Sequence, residues 1–187
     1  MNKAVFFDRD GTIARDVNYC RRPEDFFLFP ETPGVMKALR EHGYKIIIIT
    51  NQSGVGRGYF DEATLEIIHA KMKAELERGG AYIDGVYYCP HHPDDDCACR
   101  KPKPELILRA AGDFGIDLKS SFMVGDQAKD VESGKAAGCR TILINQHSAD
   151  SNKSIIADAV VSSLPDIINI ILKRPERVRS KAKSLAR

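Results

Sequence analysis

The sequence has no apolar run approaching the ~20 residues that a membrane-spanning helix needs, so no membrane association is expected. It leaves no room for the apolar core of a secretory signal, because Met1 to Phe7 lead straight into the charged Asp8. That opening points to the cytoplasm. Internal repeats and low-complexity linkers are missing, which excludes a solenoid or a string of modules, and 187 residues suit one domain. The cysteine count is odd, at 5, which argues against a disulfide framework. Disorder is excluded by a composition that is 43% hydrophobic and 29% charged.

The net charge of +2 is unevenly placed. Lys173 to Arg187 hold seven basic residues and one Glu, so the rest of the chain is mildly acidic. The run reads as a solvated, frayed terminus rather than a nucleic-acid patch, so no nucleic-acid partner is expected. The expected division is a domain over residues 1–173 and a basic tail over 174–187.

Short β-rich apolar runs alternate with helical stretches. Ala4–Phe7 reads as a buried strand. Pro33–His42 reads as a helix stopped by Gly43. Lys45–Thr50 carries four consecutive isoleucines, the mark of a strand covered on both faces. Asp61 reads as the N-cap of a helix reaching about Arg78. Further strands are expected at Gly85–Tyr88, Phe122–Val124, Thr141–Ile144 and Ala159–Val161. Further helices are expected at Pro104–Phe114, Ala128–Ala137 and Leu164–Lys173. This order describes an α/β fold with a doubly wound, mostly parallel sheet, helices on both faces and no large cap domain. Ligands of such sheets bind beyond the carboxyl ends of the strands, where Asp8, Thr50, Cys89 and Asp126 fall. The long connection Ile13–Pro30 reads as a flap beside that site.

Four segments there carry chemistry. In Asp8-Arg9-Asp10-Gly11-Thr12 two carboxylates stand two residues apart, and extended geometry would aim both the same way and Arg9 elsewhere. Side by side they repel unless a cation separates them. Thr50-Asn51-Gln52-Ser53-Gly54 offers hydroxyl, amide and backbone donors without a carboxylate, an inventory that suits phosphate. Arg100-Lys101-Pro102-Lys103-Pro104 brings cations to a helix start. In Gly125-Asp126-Gln127-Ala128-Lys129-Asp130, Asp126 can bind magnesium, and Asp130, one helical turn on, can support it from behind.

A fifth segment, Cys89-Pro90-His91-His92-Pro93 through Cys97-Ala98-Cys99, puts three thiols and two imidazoles in residues 89–99. Cys₃His is a standard structural zinc set. His91 is favoured over His92 because Cys-x-His mirrors Cys-x-Cys. Cys89, His91, Cys97 and Cys99 would close a tetrahedron and leave no open position. Zinc there would brace the connection that carries Lys101.

The order of the four catalytic segments, from Asp8 to Asp130, resembles the haloacid dehalogenase superfamily. The resemblance implies an aspartyl-phosphate formed on Asp8. Asp10 would protonate the leaving oxygen and then activate water. Mg²⁺ would bind Asp8, the Asp10 backbone carbonyl and Asp126. Thr50 and Lys101 would stabilise the transferring phosphoryl group. A dehalogenase would not need Asp10, so phosphoryl transfer is favoured.

Within that superfamily, the zinc loop together with Thr-Asn-Gln-Ser-Gly resembles the zinc-loop subfamily of heptose-bisphosphate and histidinol-phosphate phosphatases. It implies removal of the C7 phosphate of D-glycero-D-manno-heptose 1,7-bisphosphate, on the way to surface polysaccharide such as lipopolysaccharide. Histidinol-phosphate hydrolysis is the alternative, and a non-catalytic binder using the tail is a remote one. Carried over, Asp16, Val17, Asn18 and Tyr19 would line the sugar pocket, and Asn51, Gln52, Ser53 and Arg100 would meet polar groups. Some heptose enzymes carry a Lys where this chain has Gln127. The expected partner is a small phosphorylated sugar, met by a monomer.

Overall fold

The computed structural model describes residues 1–145 and 156–172. Its strands are β1 (Lys3–Phe7), β2 (Tyr44–Asn51), β3 (Gly85–Cys89), β4 (Phe122–Gly125), β5 (Arg140–Ile144) and β6 (Ala159–Val161). They form one sheet in the order β3-β2-β1-β4-β5-β6, with every pair parallel. Helices α1 (Thr32–Glu41), α2 (Glu62–Arg78), α3 (Glu105–Phe114) and α4 (Ala128–Ala137) connect the first five strands in turn, and α5 (Ile167–Ile171) follows β6.

The two-residue period of a strand builds two cores from one sheet. Val5, Phe7, Ile46 and Ile48 pack on the face covered by Met36 and Leu39 of α1, Ile68 and Met72 of α2, and Ile167 of α5. Ala4, Phe6, Ile47 and Ile49 pack on the other face against Leu106, Ile107 and Ala110 of α3. This is why Ala4–Phe7 of β1 and Ile46–Ile49 of β2 are apolar and fully buried. Asp61 caps α2 as expected, accepting from Thr64 N at 2.8 Å.

One departure has a local cause. The expected helix from Leu164 begins instead as a 3₁₀ turn (Leu164–Asp166), and α5 starts only at Ile167. Pro165 favours the tight first turn and cannot donate to a preceding carbonyl. The expected end of that helix at Lys173, and the whole basic tail, lie outside the described residues.

Residues 13–30 form a tethered flap. Ala14 bridges Leu28, and Arg15 N donates to Phe27 O at 2.9 Å. Ile13, Cys20 and Phe26 are buried, and Lys71 of α2 donates to the carbonyls of Pro23 and Phe26 at 2.7 and 3.1 Å.

Candidate active site

The sheet reverses its winding at β1, whose neighbours are β2 and β4. The crevice at such a switch point is where open α/β sheets bind ligands. Asp8 leaves the end of β1 with its backbone N–H on Val124 O at 3.0 Å, and Asp126 leaves the end of β4. Asp8, Asp126 and Asp130 each bring a carboxylate oxygen to within 4.8 Å of the others. Gly11 makes this approach possible. Its φ is +83°, a left-handed value, and a Cβ there would collide with the Asp126 carboxylate. Thr12, fully buried, donates to Asp126 Oδ1 at 3.2 Å.

One cation faces this trio. Lys101 Nζ lies 2.7 Å from Asp8 Oδ1 and 2.7 Å from Asp130 Oδ1, and donates to Ile49 O at 2.7 Å. Asp130 Oδ1 is buried with the Lys101 ammonium against it. Burial alone would lower the lysine's pKa, but Asp130 and Asp8 together raise it above the ordinary value. Burial, then the charges of Asp8 and Asp130, push Asp126 up to about 7. Three carboxylates against one ammonium leave excess negative charge in a buried place. A hard divalent ion with oxygen ligands fits that donor set and balances it.

The expected sidedness of Asp8-Arg9-Asp10 needs correction. β1 ends at Phe7, so the alternation of a strand does not carry through Asp10. Arg9 does not point elsewhere. It curls back, fully buried, and holds Asp10 through Nε on Oδ1 at 3.1 Å and Nη2 on Oδ2 at 2.9 Å. Gln52 Nε2 donates to the same Oδ2 at 3.0 Å and lies 2.8 Å from Thr50 Oγ1. Behind Arg9 stands His69 of α2, with Nε2 3.4 Å from Nη1. The sequence reading had singled out neither Arg9 nor His69. A signal for His69 was present: it falls on the apolar stripe of Leu65, Ile68, Met72 and Leu76.

A cleft of about 230 Å³ opens over these groups. Asp10, Asp16, Asn18, Tyr19, Asn51, Gln52, Ser53 and Arg100 line it, together with Cys20, Gly54, Gln127 and Lys129. Asp8, Thr50 and Lys101 are buried and lie outside that lining. Val17 does not line it but packs against the core below the flap. Asn18 and Tyr19 take φ values of 51° and 76°, and the Tyr19 ring meets Tyr59 edge-on at 5.0 Å. Arg100 Nη1 is buried without a partner among the described residues. Asn51 also serves Lys101 directly. Its Nδ2 donates to Lys101 O, and its Oδ1 accepts from Lys101 N, both at 3.1 Å.

Cys89, His91, Cys97 and Cys99 form a second cluster with ligand atoms within 4.8 Å of one another. Cys89 Sγ is 3.5 Å from Cys97 Sγ, and His91 Nδ1 is 3.2 Å from Cys99 Sγ. Nδ1 faces the thiols, so His91 is the imidazole of the set. His92 instead caps the 3₁₀ turn at Pro93–Asp95. Three sulfurs and one nitrogen suit a four-coordinate zinc ion and leave no position open.

Fold and site together define a hydrolase of the haloacid dehalogenase type, with its carboxylates at the switch point. The family model described as HAD-hydrolase-like matches residues 98–167. A D-glycero-beta-D-manno-heptose-1,7-bisphosphate 7-phosphatase of Pasteurella multocida is 37% identical, over 91% of this chain and 97% of its own. The beta-specific enzyme of Helicobacter pylori is 42% identical over 76% of this chain and 83% of its own. A crystal structure of the D,D-heptose 1,7-bisphosphate phosphatase of B. bronchiseptica, complexed with magnesium and phosphate, superposes with a TM-score of 0.84. That enzyme is 32% identical, covering 91% of this chain and 98% of its own. The chain belongs to the D-glycero-D-manno-heptose-1,7-bisphosphate 7-phosphatase family and is a phosphatase. No helix among the described residues is long and apolar enough to cross a membrane.

Proposed function

We propose that this phosphatase removes the C7 phosphate of D-glycero-D-manno-heptose 1,7-bisphosphate through an aspartyl-phosphate on Asp8. The observation that carries this reading is the Asp8–Asp126–Asp130 trio beside Lys101, with Asp10 two residues from Asp8 lining a cleft that Arg100 also lines. In the first half, an Asp8 oxygen attacks phosphorus and the bond to the sugar oxygen breaks. Asp10 delivers its proton to that oxygen, so an alcohol leaves rather than an alkoxide. In the second half, Asp10 takes a proton from water, the water oxygen attacks phosphorus, and the bond to Asp8 breaks.

Lys101 and the Thr50 hydroxyl stabilise the phosphoryl oxygens as charge spreads over them. Asp8, Asp126 and the Asp10 backbone carbonyl are the groups that would hold Mg²⁺, with Asp130 holding Lys101 from behind. When bound, the ion supplies positive charge to the phosphoryl oxygens. The cage of Cys89, His91, Cys97 and Cys99 takes Zn²⁺ as a structural ion and steadies the loop that delivers Lys101.

Arg100 supports a second anion on the substrate. A buried guanidinium nitrogen without a partner suits the planar fork of a phosphate and opposes a cationic group. Asp16, Asn18 and Tyr19 supply a polar, aromatic wall for the sugar hydroxyls. The five cysteines are free of disulfides, as suits the reducing cytoplasm, and the chain is taken to act as a monomer.

The test is phosphate release from heptose bisphosphate and from histidinol phosphate, with and without Mg²⁺. Heptose bisphosphate should win by at least tenfold in kcat/KM, and omission of Mg²⁺ should abolish turnover of both. A tenfold preference for histidinol phosphate overturns the substrate assignment.

A further inference from the structure

Arg9 is the largest fully buried side chain among the described residues. A guanidinium taken out of water is costly unless all its donors are used. Here Nε and Nη2 form a fork on the two Asp10 oxygens, at 3.1 and 2.9 Å. Nη2 also donates to Gln52 Oε1 at 3.0 Å, and Nη1 stands 3.4 Å from His69 Nε2. Arginine can only donate, so His69 must accept through Nε2 and keep its proton on Nδ1. Burial, then the charges of Arg9 and Lys73, hold that imidazole neutral by pushing it down to about 3. The His69 ring is itself packed against Tyr88, with centroids 5.6 Å apart. The cation thus has a fixed seat in the core, while the Asp10 side chain it grips remains 26% exposed toward the cleft.

The donor count on Asp10 is unequal. Oδ2 accepts from both Arg9 and Gln52, which uses its two lone pairs, and Oδ1 accepts from Arg9 alone. One lone pair stays open, and it belongs to Oδ1. We propose that Arg9, seated against His69, is a positioning residue that aims the Asp10 carboxyl group at the leaving oxygen and assigns the exchanged proton to Oδ1. This rests on the acid–base role proposed above for Asp10. The proton passes from Oδ1 to the sugar oxygen as the phosphorus–oxygen bond breaks, and Oδ1 regains one from water in the second half. Neither Arg9 nor His69 touches substrate.

The test uses leaving groups. A nitrophenolate departs without a proton, whereas an alkoxide needs one, so a defect in proton delivery is selective and a general distortion is not. On the full-length, Mg²⁺- and zinc-loaded protein, kcat/KM is measured for p-nitrophenyl phosphate and for a hexose phosphate. Arg9→Met should lose about 100-fold on the hexose phosphate and less than about fivefold on the aryl ester. His69→Phe keeps a ring against Tyr88, removes the acceptor, and should show the same selectivity at about tenfold. It also serves as the probe if Arg9→Met does not fold. Asp10→Asn is the benchmark, and adding Arg9→Met to it should cost little more. Equal losses on both esters, or no loss, in the folded variants overturns the positioning role. If Asp10→Asn itself shows no selectivity, the acid–base reading of Asp10 fails instead.

Discussion

The described residues hold two clusters of metal-ligating side chains, and they are built in opposite ways. The Cys89–Cys99 cage is local, drawn from one loop, with three thiols and an imidazole that can satisfy one ion completely. The carboxylate trio is assembled by the sheet from positions as distant as Asp8 and Asp130, and it holds more negative charge than Lys101 can balance. A cage that closes on itself suits a structural ion. A cluster left electrically incomplete beside a cleft suits an ion that must share its ligands with substrate. The contrast shows how one chain reserves soft donors for holding and hard donors for reacting.

The contrast breaks most sharply at Asp8. Asp8→Asn should lower kcat by at least ~10⁴-fold while circular dichroism stays native, because it removes the proposed nucleophile and relieves repulsion with Asp126. A variant retaining a tenth of the activity would sink the aspartyl-phosphate route. Cys97→Ser should act in the reverse sense. Its zinc content by mass spectrometry should fall well below one per chain and its Tm should drop by about 10 °C. Turnover should fall only about tenfold, through the loop that carries Lys101. An unchanged Tm would show that the cage does not stabilise the fold.

The next effect is at His69, behind Arg9. Its folded pKa of about 3 lies below the ordinary 6.5, so the unfolded chain binds the extra proton. Stability from this site is complete above pH 6.5 and is lost as pH falls toward 3. By pH 5 the loss reaches about 2 kcal/mol. Asp126, raised to about 7, contributes with the opposite sign in metal-free protein, so the measurement is a difference. Urea midpoints of wild type and His69→Gln should diverge less at pH 5 than at pH 7. The smallest effect belongs to the tail: a chain ending at Lys173 should keep kcat/KM within about twofold, and a tenfold loss would assign the tail a role at the site.

Much of this was legible in residue order. Four isoleucines in a row mark a strand covered on both faces, and an Asp just past a strand end, as at Asp8 and Asp126, falls at the crevice. The cage was legible because its ligands are neighbours in sequence. What was not legible was direction. Treating Asp8-Arg9-Asp10 as extended gave Arg9 the wrong side, because the strand stops at Phe7 and the chain turns on Gly11. Val17 was assigned to the sugar wall along with its neighbours, but an apolar side chain in a polar flap turns inward to the core. His69 needed tertiary context: an imidazole on a buried helical stripe has meaning only once Arg9 is found against it.

Lys71 lashes the flap to α2 at Pro23 and Phe26, so the wall bearing Asp16, Asn18 and Tyr19 stands in place before any sugar arrives. A doorway set in advance spares each encounter the entropy of ordering it. With the flap tied in this way, exchange of product for substrate is expected to need no hinge opening.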